Sequence, residues 1–256
     1  MNDKNNKDLL IPKSIDFLIS DDKCAYVEGQ QKRMNYKKIE IVSKVFATTV
    51  AQRGWRRYGK NFVYPACFTC NACKSIRVKA TDYKYTKSQR KAIKRNLDTT
   101  IVVQEPTLTQ EHLDLYNKYH NFKTGNDDWN HQKITKEEYI DDYVDGANDF
   151  GKEILYYRDG KLVGVDLVDI LYDGISSIYC YYDPDYMWHS LGTYSLLHEI
   201  KLAQELELDY VYLGYWVEGY KAFEYKENFQ PMEILEGYPR VFEKPIWKPW
   251  NREKKD

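Results

Sequence analysis

The densest run of chemically capable side chains is Pro65-Ala66-Cys67-Phe68-Thr69-Cys70-Asn71-Ala72-Cys73. Three thiols at C-x2-C-x2-C spacing can converge on one ion or cluster when a tight loop keeps returning the backbone to the same side. A fourth ligand must then come from elsewhere, and Cys24 is the natural candidate. Four thiolates suit tetrahedral zinc or an iron–sulfur cluster. Three spaced thiols with a remote fourth stand closer to cluster ligation than to the paired C-x2-C units of zinc ribbons, and simple reduced thiols are the third alternative. Four protein ligands leave no open position for a substrate, so the expected role of Cys24, Cys67, Cys70 and Cys73 is structural. Cys180, in a strand of alternating pattern, reads as a small core residue.

A second constellation is the turn Tyr182-Asp183-Pro184-Asp185-Tyr186-Met187-Trp188-His189-Ser190-Leu191-Gly192-Thr193-Tyr194. A helix that opens here exposes unpaired N–H groups and its positive dipole end, which favour a phosphate or a developing oxyanion. Gly192 admits close approach to the backbone. Coenzyme A acetyltransferases use such a corner with a Q/R-x-x-G-x-G/A pattern. Of the matching positions His189, Gly192 and Tyr194, only the central glycine fits, and a tyrosine would crowd a pyrophosphate. An ordinary capped helix is the plainer alternative. A third constellation is Tyr210-Val211-Tyr212-Leu213-Gly214-Tyr215-Trp216, followed by Tyr225 and Lys226. Strand alternation sends Tyr210, Tyr212, Gly214 and Trp216 to one side and Val211, Leu213 and Tyr215 to the other. Aromatic and basic residues in this region can stack a base and screen a phosphate. The alternative is a packed strand beside a solvated helix. His112, His120, His131, His189 and His198 lack metal-ligand spacing and read as structural or surface residues.

The elements that must carry these groups follow from hydrophobic period. Ile39, Val42, Val45, Phe46, Thr49 and Val50 form a helical stripe within residues 35–53, with Gly54 as a C-cap. After Thr86 a short helix is expected, because Lys87, Arg90, Lys91, Lys94 and Arg95 share one face. Pro106 marks a break, and the boundary between an N-terminal part (1–105) and a C-terminal part (106–256) is placed near it. Strands are expected at 152–157, 162–171 and 175–182, joined by turns at Asp159-Gly160 and Asp173-Gly174. A helix at 191–206, a strand at 209–215 and a helix at 217–228 complete the order. Three meandering strands, a helix and a strand are the core order of the GNAT acyltransferase fold, by analogy.

The net charge of −1 conceals an asymmetry. Residues 1–100 hold 22 Lys and Arg against 9 Asp and Glu, a balance of +13, and the remainder balances at −14. A front part so basic points to a polyanion such as nucleic acid, with a solvated basic face as the alternative. Residues 1–12 read as a polar tail, with no secretory signal, and no apolar run reaches the roughly 20 residues of a membrane span. Five cysteines without a signal do not suggest a disulfide framework, so reducing cytoplasm is the expected compartment.

Several separated runs together resemble the arginyl-tRNA–protein transferase family. They are Trp55-Arg56-Arg57-Tyr58-Gly59, the Pro65–Cys73 run, Ile76-Arg77-Val78, Ser88-Gln89-Arg90, Arg95-Asn96, Tyr182-Asp183-Pro184, Ser190-Leu191-Gly192-Thr193-Tyr194, Tyr212-Leu213-Gly214-Tyr215-Trp216 and Tyr225-Lys226. The likeness spans about residues 14–240 and is closest to the bacterial branch, the aspartate/glutamate leucyltransferases. It implies an α+β protein with a cysteine-rich N-terminal domain and a GNAT-like transferase domain. It also implies transfer of leucine from tRNA to proteins that begin with Asp or Glu, marking them for degradation. Eukaryotic members carry paired cysteines and an adjacent Cys-Cys, whereas this chain has lone Cys24 and three spaced thiols, which leaves the metal open.

On that reading an aminoacyl-tRNA is an activated ester, so neither ATP nor an organic cofactor is needed. The acceptor α-amine has a pKa of about 7.7–8.0 and is partly neutral at pH 7. Positioning and an oxyanion stabiliser supply the acceleration. The amides around Gly192 are expected near the reacting ester, with Ser190, Leu191 and Tyr194 lining the corner. Asp183 is a candidate to orient or deprotonate the amine, though it is also a common turn former, and the leaving ribose can recover the proton itself. Tyr215, Trp216 and Tyr225 are expected to shape the donor pocket, with Lys226 near phosphate. The acceptor's carboxylate calls for a cation, and Arg56, Arg57, Arg90 and Arg95 are candidates that could equally bind tRNA phosphate. Ser88, Gln89 and Asn96 belong to the same matched segment. The competing functions are an arginyl donor with Glu218 or Glu224 in its pocket, a coenzyme A N-acetyltransferase, and a nucleic-acid-binding module without catalysis.

Overall fold

The computed structural model describes residues 11–21, 23–126 and 133–251. Strands β1 (Ile15–Asp21) and β2 (Lys32–Lys38) precede helix α1 (Lys44–Ala51). Next come β3 (Arg56–Tyr58), β4 (Asn61–Pro65), β5 (Lys74–Lys79), α2 (Lys87–Arg95), β6 (Thr100–Gln104), α3 (Gln110–Asn126) and α4 (Lys136–Tyr139), which runs into a π-helical turn at Ile140–Val144. The chain then forms β7 (Gly151–Arg158), β8 (Lys161–Ile170), β9 (Gly174–Tyr182), a 3-10 turn (Pro184–His189) and α5 (Leu191–Glu205). It ends with β10 (Tyr210–Trp216), a 3-10 segment (Lys221–Asn228), β11 (Met232–Leu235) and β12 (Trp247–Trp250).

Two sheets result. The smaller has the order β1-β2-β4-β3, and the larger has the order β12-β11-β5-β10-β9-β8-β7-β6. The expected meander is β7–β8–β9, antiparallel and closed at its first turn by Asp159 and Gly160, both at positive φ (49° and 75°). That is the conformation an Asp-Gly hairpin demands. The helix expected at 191–206 is α5, and the strand expected at 209–215 is β10, which lies parallel to β9.

Three apolar clusters hold the layers together. One lies between the large sheet and helices α2 and α5, with Val78, Ile154, Val163, Leu197, Ile200 and Val211 at its centre. A second packs α1 against both sheets through Phe46, Phe62, Phe150, Leu171 and Tyr212. The third lies under α3 and α4 and is rich in tyrosine: Tyr116, Tyr139, Tyr143 and Tyr181. Their hydroxyls bond within the cluster, Tyr139 to Tyr181 at 2.6 Å and Tyr116 to Tyr143 at 3.3 Å. Paired phenols can be buried without the penalty of an orphaned O–H.

Some expectations require correction. The helix expected across 35–53 starts only at Lys44, capped by the Ser43 hydroxyl, because residues 35–38 are taken by β2 pairing with β4. The helix expected at 217–228 is a 3-10 segment over Lys221–Asn228. Pro106 falls between β6 and α3, yet β5 and β6, which precede it, are strands of the same sheet as β7 to β12. The polar start at 1–10 and His131 lie outside the described residues.

Candidate functional site

The organising feature is a fork in the large sheet. Strands β9 and β10 pair in parallel only where Tyr210, Val211 and Tyr212 meet Gly174, Ile175 and Ser176. Beyond that point β9 continues to Tyr182 and β10 to Trp216, and the carbonyls that face the gap lose their ladder partners. Buried backbone carbonyls must find donors elsewhere. Arg56 of β3 supplies them on the β9 side, donating to Ser177 O at 3.3 Å and Ile178 O at 2.9 Å. Lys226 supplies them on the β10 side, donating to Leu213 O at 2.8 Å and Tyr215 O at 2.5 Å. Gly214 makes room: its φ is +73°, and a Cβ there would sit 2.5 Å from the Arg56 guanidinium. A backbone in the left-handed region beside a packed guanidinium requires glycine.

Arg56 is half-buried and makes no salt bridge with any carboxylate among the described residues. Burial works to lower its pKa, but Tyr58, Tyr215, Tyr225 and Tyr26 around it raise it above the ordinary arginine value. It therefore stays a full positive charge beside the Tyr58 and Tyr215 rings. Burial, then the nearby Arg56 charge, push the Lys226 ammonium well down. Tyr225 stays open to solvent beside Arg56, while burial raises its phenol.

The neighbouring Arg57 has the opposite fate. Its guanidinium grips buried Asp169 with both Nε and Nη2, the latter at 2.7 Å, and donates to Gly59 O at 3.1 Å. It pins β3 to β8 and has no capacity left for a substrate carboxylate. Successive strand residues point to opposite faces, so one arginine enters the fork and the other enters the core.

Other expected residues are structural. The Tyr215 hydroxyl, expected in the donor pocket, instead donates to Val63 O at 2.9 Å and links β10 to β4. Trp216 joins Val211 and Leu213 in the central core rather than Tyr210 and Tyr212, because the pairing register with β5 shifts between Tyr212 and Gly214 and changes the alternation. Asp183 caps the 3-10 turn by accepting from the Asp185 amide at 3.0 Å and is ion-paired to Lys161 at 2.7 Å and Lys118 at 2.5 Å. Burial would raise its pKa, but those lysines hold it below the usual carboxylate value, so Asp183 is a poor base.

The corner before α5 adjoins the basic helix. Ser190 sits at positive φ (58°) and gives α5 no side-chain cap. Asn96 donates to His189 O at 2.8 Å, His189 Nδ1 lies 2.9 Å from Arg95 O, and Arg95 reaches Trp188 O at 3.2 Å and Ser190 Oγ at 3.4 Å. Leu191 is buried, Tyr194 packs on Tyr156, and the Tyr182 ring stands over Gly192, where an added Cβ would meet it at 3.1 Å. Thr86 and Gln89 form the capping box of α2, and Gln89 is buried, donating to Tyr83 and to Asn228 O, while Ser88 is exposed next to Thr86. Lys87, Arg90, Lys91, Lys94 and Arg95 are all exposed, and none is salt-bridged among the described residues. Trp188 is 64% exposed beside this face.

Cys24, Cys67, Cys70 and Cys73 are all reduced and partly buried. Among the described residues no three His, Cys, Asp or Glu side chains stand in metal-holding geometry. The thiols nevertheless crowd together: burial pushes Cys73 up to about 12, and nearby Cys24, Cys67 and Cys70 add to the rise. Four soft sulfur donors gathered around Cys73 are of the type that a thiophilic cation takes. A cavity of about 520 Å³ lies between this region and the end of β10, lined by Tyr26, Asn71, Lys74, Trp216, Glu218 and Tyr220.

Sequence reasoning missed two residues at the fork, Asp166 of β8 and Glu199 of α5, both fully buried. The available signal was a carboxylate in phase with the apolar face of each element: Asp166 within Val163–Val168, and Glu199 between Leu196 and Ile200.

Comparison with known proteins identifies the family. Residues 22–91 match the family model of the arginine-tRNA-protein transferase N terminus, and residues 111–236 match that of its C terminus. An aspartate/glutamate leucyltransferase from Campylobacter jejuni subsp. jejuni is 43% identical over 232 residues, covering 91% of this chain and 97% of the relative. One from Helicobacter hepaticus is 40% identical, covering 89% and 95%, and one from Acinetobacter baumannii is 36% identical, covering 83% and 78%. Among solved structures, L-PGS from Bacillus licheniformis aligns with a TM-score of 0.40 and 14% identity, over 72% of this chain and 62% of that one. No helix among the described residues is long and apolar enough to cross a membrane. The chain is an aminoacyltransferase and belongs to the arginine-tRNA-protein transferase family, in the branch of the aspartate/glutamate leucyltransferases.

Proposed function

We propose that this enzyme transfers leucine from leucyl-tRNA to the N-terminal amine of proteins that begin with Asp or Glu, in reducing cytoplasm, on a GNAT-like domain. The observation that carries the reading is Arg56, a full charge at the β9–β10 fork without a carboxylate partner among the described residues. An acceptor's acidic side chain supplies the missing anion, and a guanidinium binds it in two-point fashion. With Arg57 committed to Asp169, and Arg90 and Arg95 on the open face of α2, Arg56 is the arginine suited to the acceptor.

The donor is assigned to the other side of the fork. Five exposed cations on α2, none salt-bridged among the described residues, attract tRNA phosphate, and exposed Trp188 offers a ring for stacking an unpaired base. The acceptor amine then attacks the ester carbonyl, the amide forms, and the terminal ribose leaves. Crowding by Tyr194 and Tyr182 around Gly192 disfavours a coenzyme A pyrophosphate at the same corner. Loss of Lys91 or Lys94 should weaken tRNA binding uniformly and reduce the slope of log K against log salt by about 1 per phosphate contact. Filter binding at graded salt measures it, and unchanged slopes for both variants would remove α2 from the tRNA surface.

The donor is decided by charging tRNA separately with leucine and with arginine and following label into a peptide that begins with Asp. Leucine transfer is expected. A second reading with arginine as donor draws on Glu218, which lines the cavity beside the fork; transfer of arginine alone would establish it.

The four clustered thiols are proposed to hold zinc or an iron–sulfur cluster in a structural role. The crowding of Cys24, Cys67 and Cys70 on Cys73 supports this. A Cys70→Ser enzyme should retain less metal per chain and unfold at lower temperature than the parent; equal metal content and equal stability would make the thiols incidental.

A further inference from the structure

Asp166 and Glu199 face each other one layer beneath the floor of the fork, each with 0% of its surface exposed. None of their four carboxylate oxygens has a donor in ideal geometry among the described residues; their nearest polar neighbours are each other and, for Glu199, the Ser177 hydroxyl. Asp166 lies opposite Cys180 across the β8–β9 ladder, and Glu199 projects from the buried face of α5. The groups around them come from every neighbouring element. Tyr156 of β7 brings a buried hydroxyl that also lacks a partner, and Cys180 of β9 donates its thiol to Ser195 Oγ of α5 at 3.3 Å. Ser177 of β9 lies beside Glu199, Tyr225 reaches in from the 3-10 segment, and Arg56 of β3 is the nearest cation. A core built for stability would place apolar side chains here.

Two carboxyls this close and this dry cannot both be charged, so the pair retains one proton and one negative charge. Burial raises both groups, Glu199 well above the usual carboxylate value and Asp166 to about 7, with the hydrogen bond to Glu199 working against the rise at Asp166. The pair can therefore take up a second proton in the range where an α-amine becomes a nucleophile. Ser177, Cys180 and Arg56 are half-buried and Tyr225 is exposed, so Ser177 keeps some surface while its hydroxyl bears on Glu199. The Ser177 carbonyl is held by Arg56, which ties this hydroxyl to the residue assigned to the acceptor.

We propose that the Asp166–Glu199 pair is the proton store of the transfer reaction, serving the attacking amine through the Ser177 hydroxyl. The inference rests on the aminoacyl-transfer reading above. The amine nitrogen forms its bond to the ester carbon, and the bond from that carbon to the ribose oxygen breaks. The amine proton passes to Ser177 Oγ while the serine's own proton passes to Glu199, whose proton shifts to the Asp166 carboxylate, leaving the pair neutral. The reverse movement delivers a proton to the departing ribose oxygen and restores the singly protonated pair, so nothing else is consumed. Asp166 and Glu199 act through Ser177 and are positioning residues rather than groups in contact with substrate.

The test uses the full-length enzyme with leucyl-tRNA and an Asp-initiated peptide, comparing wild type with Asp166→Asn, Glu199→Gln and Ser177→Ala from pH 5.5 to 9. The isosteric amides keep the shape of the core, and thermal unfolding of each variant identifies any loss that is merely structural. The expected result is a fall in kcat of about 10²-fold for either amide variant, with KM for both substrates unchanged. The wild-type profile should fall as pH drops through about 7, beyond the decline due to the peptide amine, and this excess should vanish in Asp166→Asn. Infrared difference spectra, wild type minus Asp166→Asn, should show a protonated carboxyl at neutral pH. Wild-type transfer with folded variants that retain its rate and pH profile would overturn the proton store alone. Absence of wild-type transfer from any charged tRNA would overturn the transfer reading and the proton store with it.

Discussion

Replacing Arg56 with alanine is expected to lower kcat/KM by about 10- to 100-fold for peptides that begin with Asp or Glu, and by much less for peptides with a neutral first residue. The estimate follows from a charge-assisted hydrogen bond, worth about 1.5–3 kcal/mol. The discrimination matters more than its size. Arg56 also satisfies Ser177 O and Ile178 O, so alanine loosens the fork for every acceptor. Only the loss of the carboxylate partner falls selectively on acidic ones. Arg56→Lys keeps the charge but cannot bridge two carbonyls and a carboxylate with one flat fork, so it should recover the selectivity only in part. Steady-state transfer to paired acidic and neutral peptides is the measurement. Equal losses for both would dissociate Arg56 from acceptor choice.

Arg57→Ala should instead be a stability variant, costing about 3–5 kcal/mol, because it leaves the Asp169 carboxylate buried without its partner. In a protein of this size that lowers the melting temperature by roughly ten degrees. The preference of the remaining folded enzyme for acidic acceptors should not change. Replacing both partners with apolar residues of similar volume should restore much of the loss, since an empty pair costs less than half a pair. Calorimetry on the single and double variants checks this. A single variant as stable as the parent would mean that Asp169 finds another donor. Adjacent in sequence and alike in type, the two arginines are thus expected to fail in different ways.

Much of the second half was legible because its patterns are local. The Asp159-Gly160 hairpin, the alternation that becomes β8 and β9, and the helical period of α5 each depend on residues a few positions apart. The basic face of α2 was legible for the same reason, whereas its contact with the corner at Ser190 emerges only from the fold. What escaped depends on partners distant in sequence. Nothing in Lys74–Lys79 announces that it will lie between β10 and β11. Nothing in Trp55-Arg56-Arg57 separates the fork from the core without knowledge of where β9 and β10 part. The register shift at Gly214, which sends Trp216 inward, is a property of the pair β5–β10 and not of either strand alone. The acid pair was hidden because each carboxylate is an isolated polar residue in an apolar stretch and acquires meaning only when the other faces it.

The position of β5 also constrains how the molecule can be made and divided. This strand is translated long before either of its flanking neighbours, so during synthesis it waits unpaired, and the final sheet forms only when the distal segments arrive. A fragment that begins after α2 would carry two raw strand edges in place of that seam, open to pairing with other chains. Relatives can therefore exchange surface loops far more readily than halves: the thiol-bearing front and the transferring rear are stitched into one fabric.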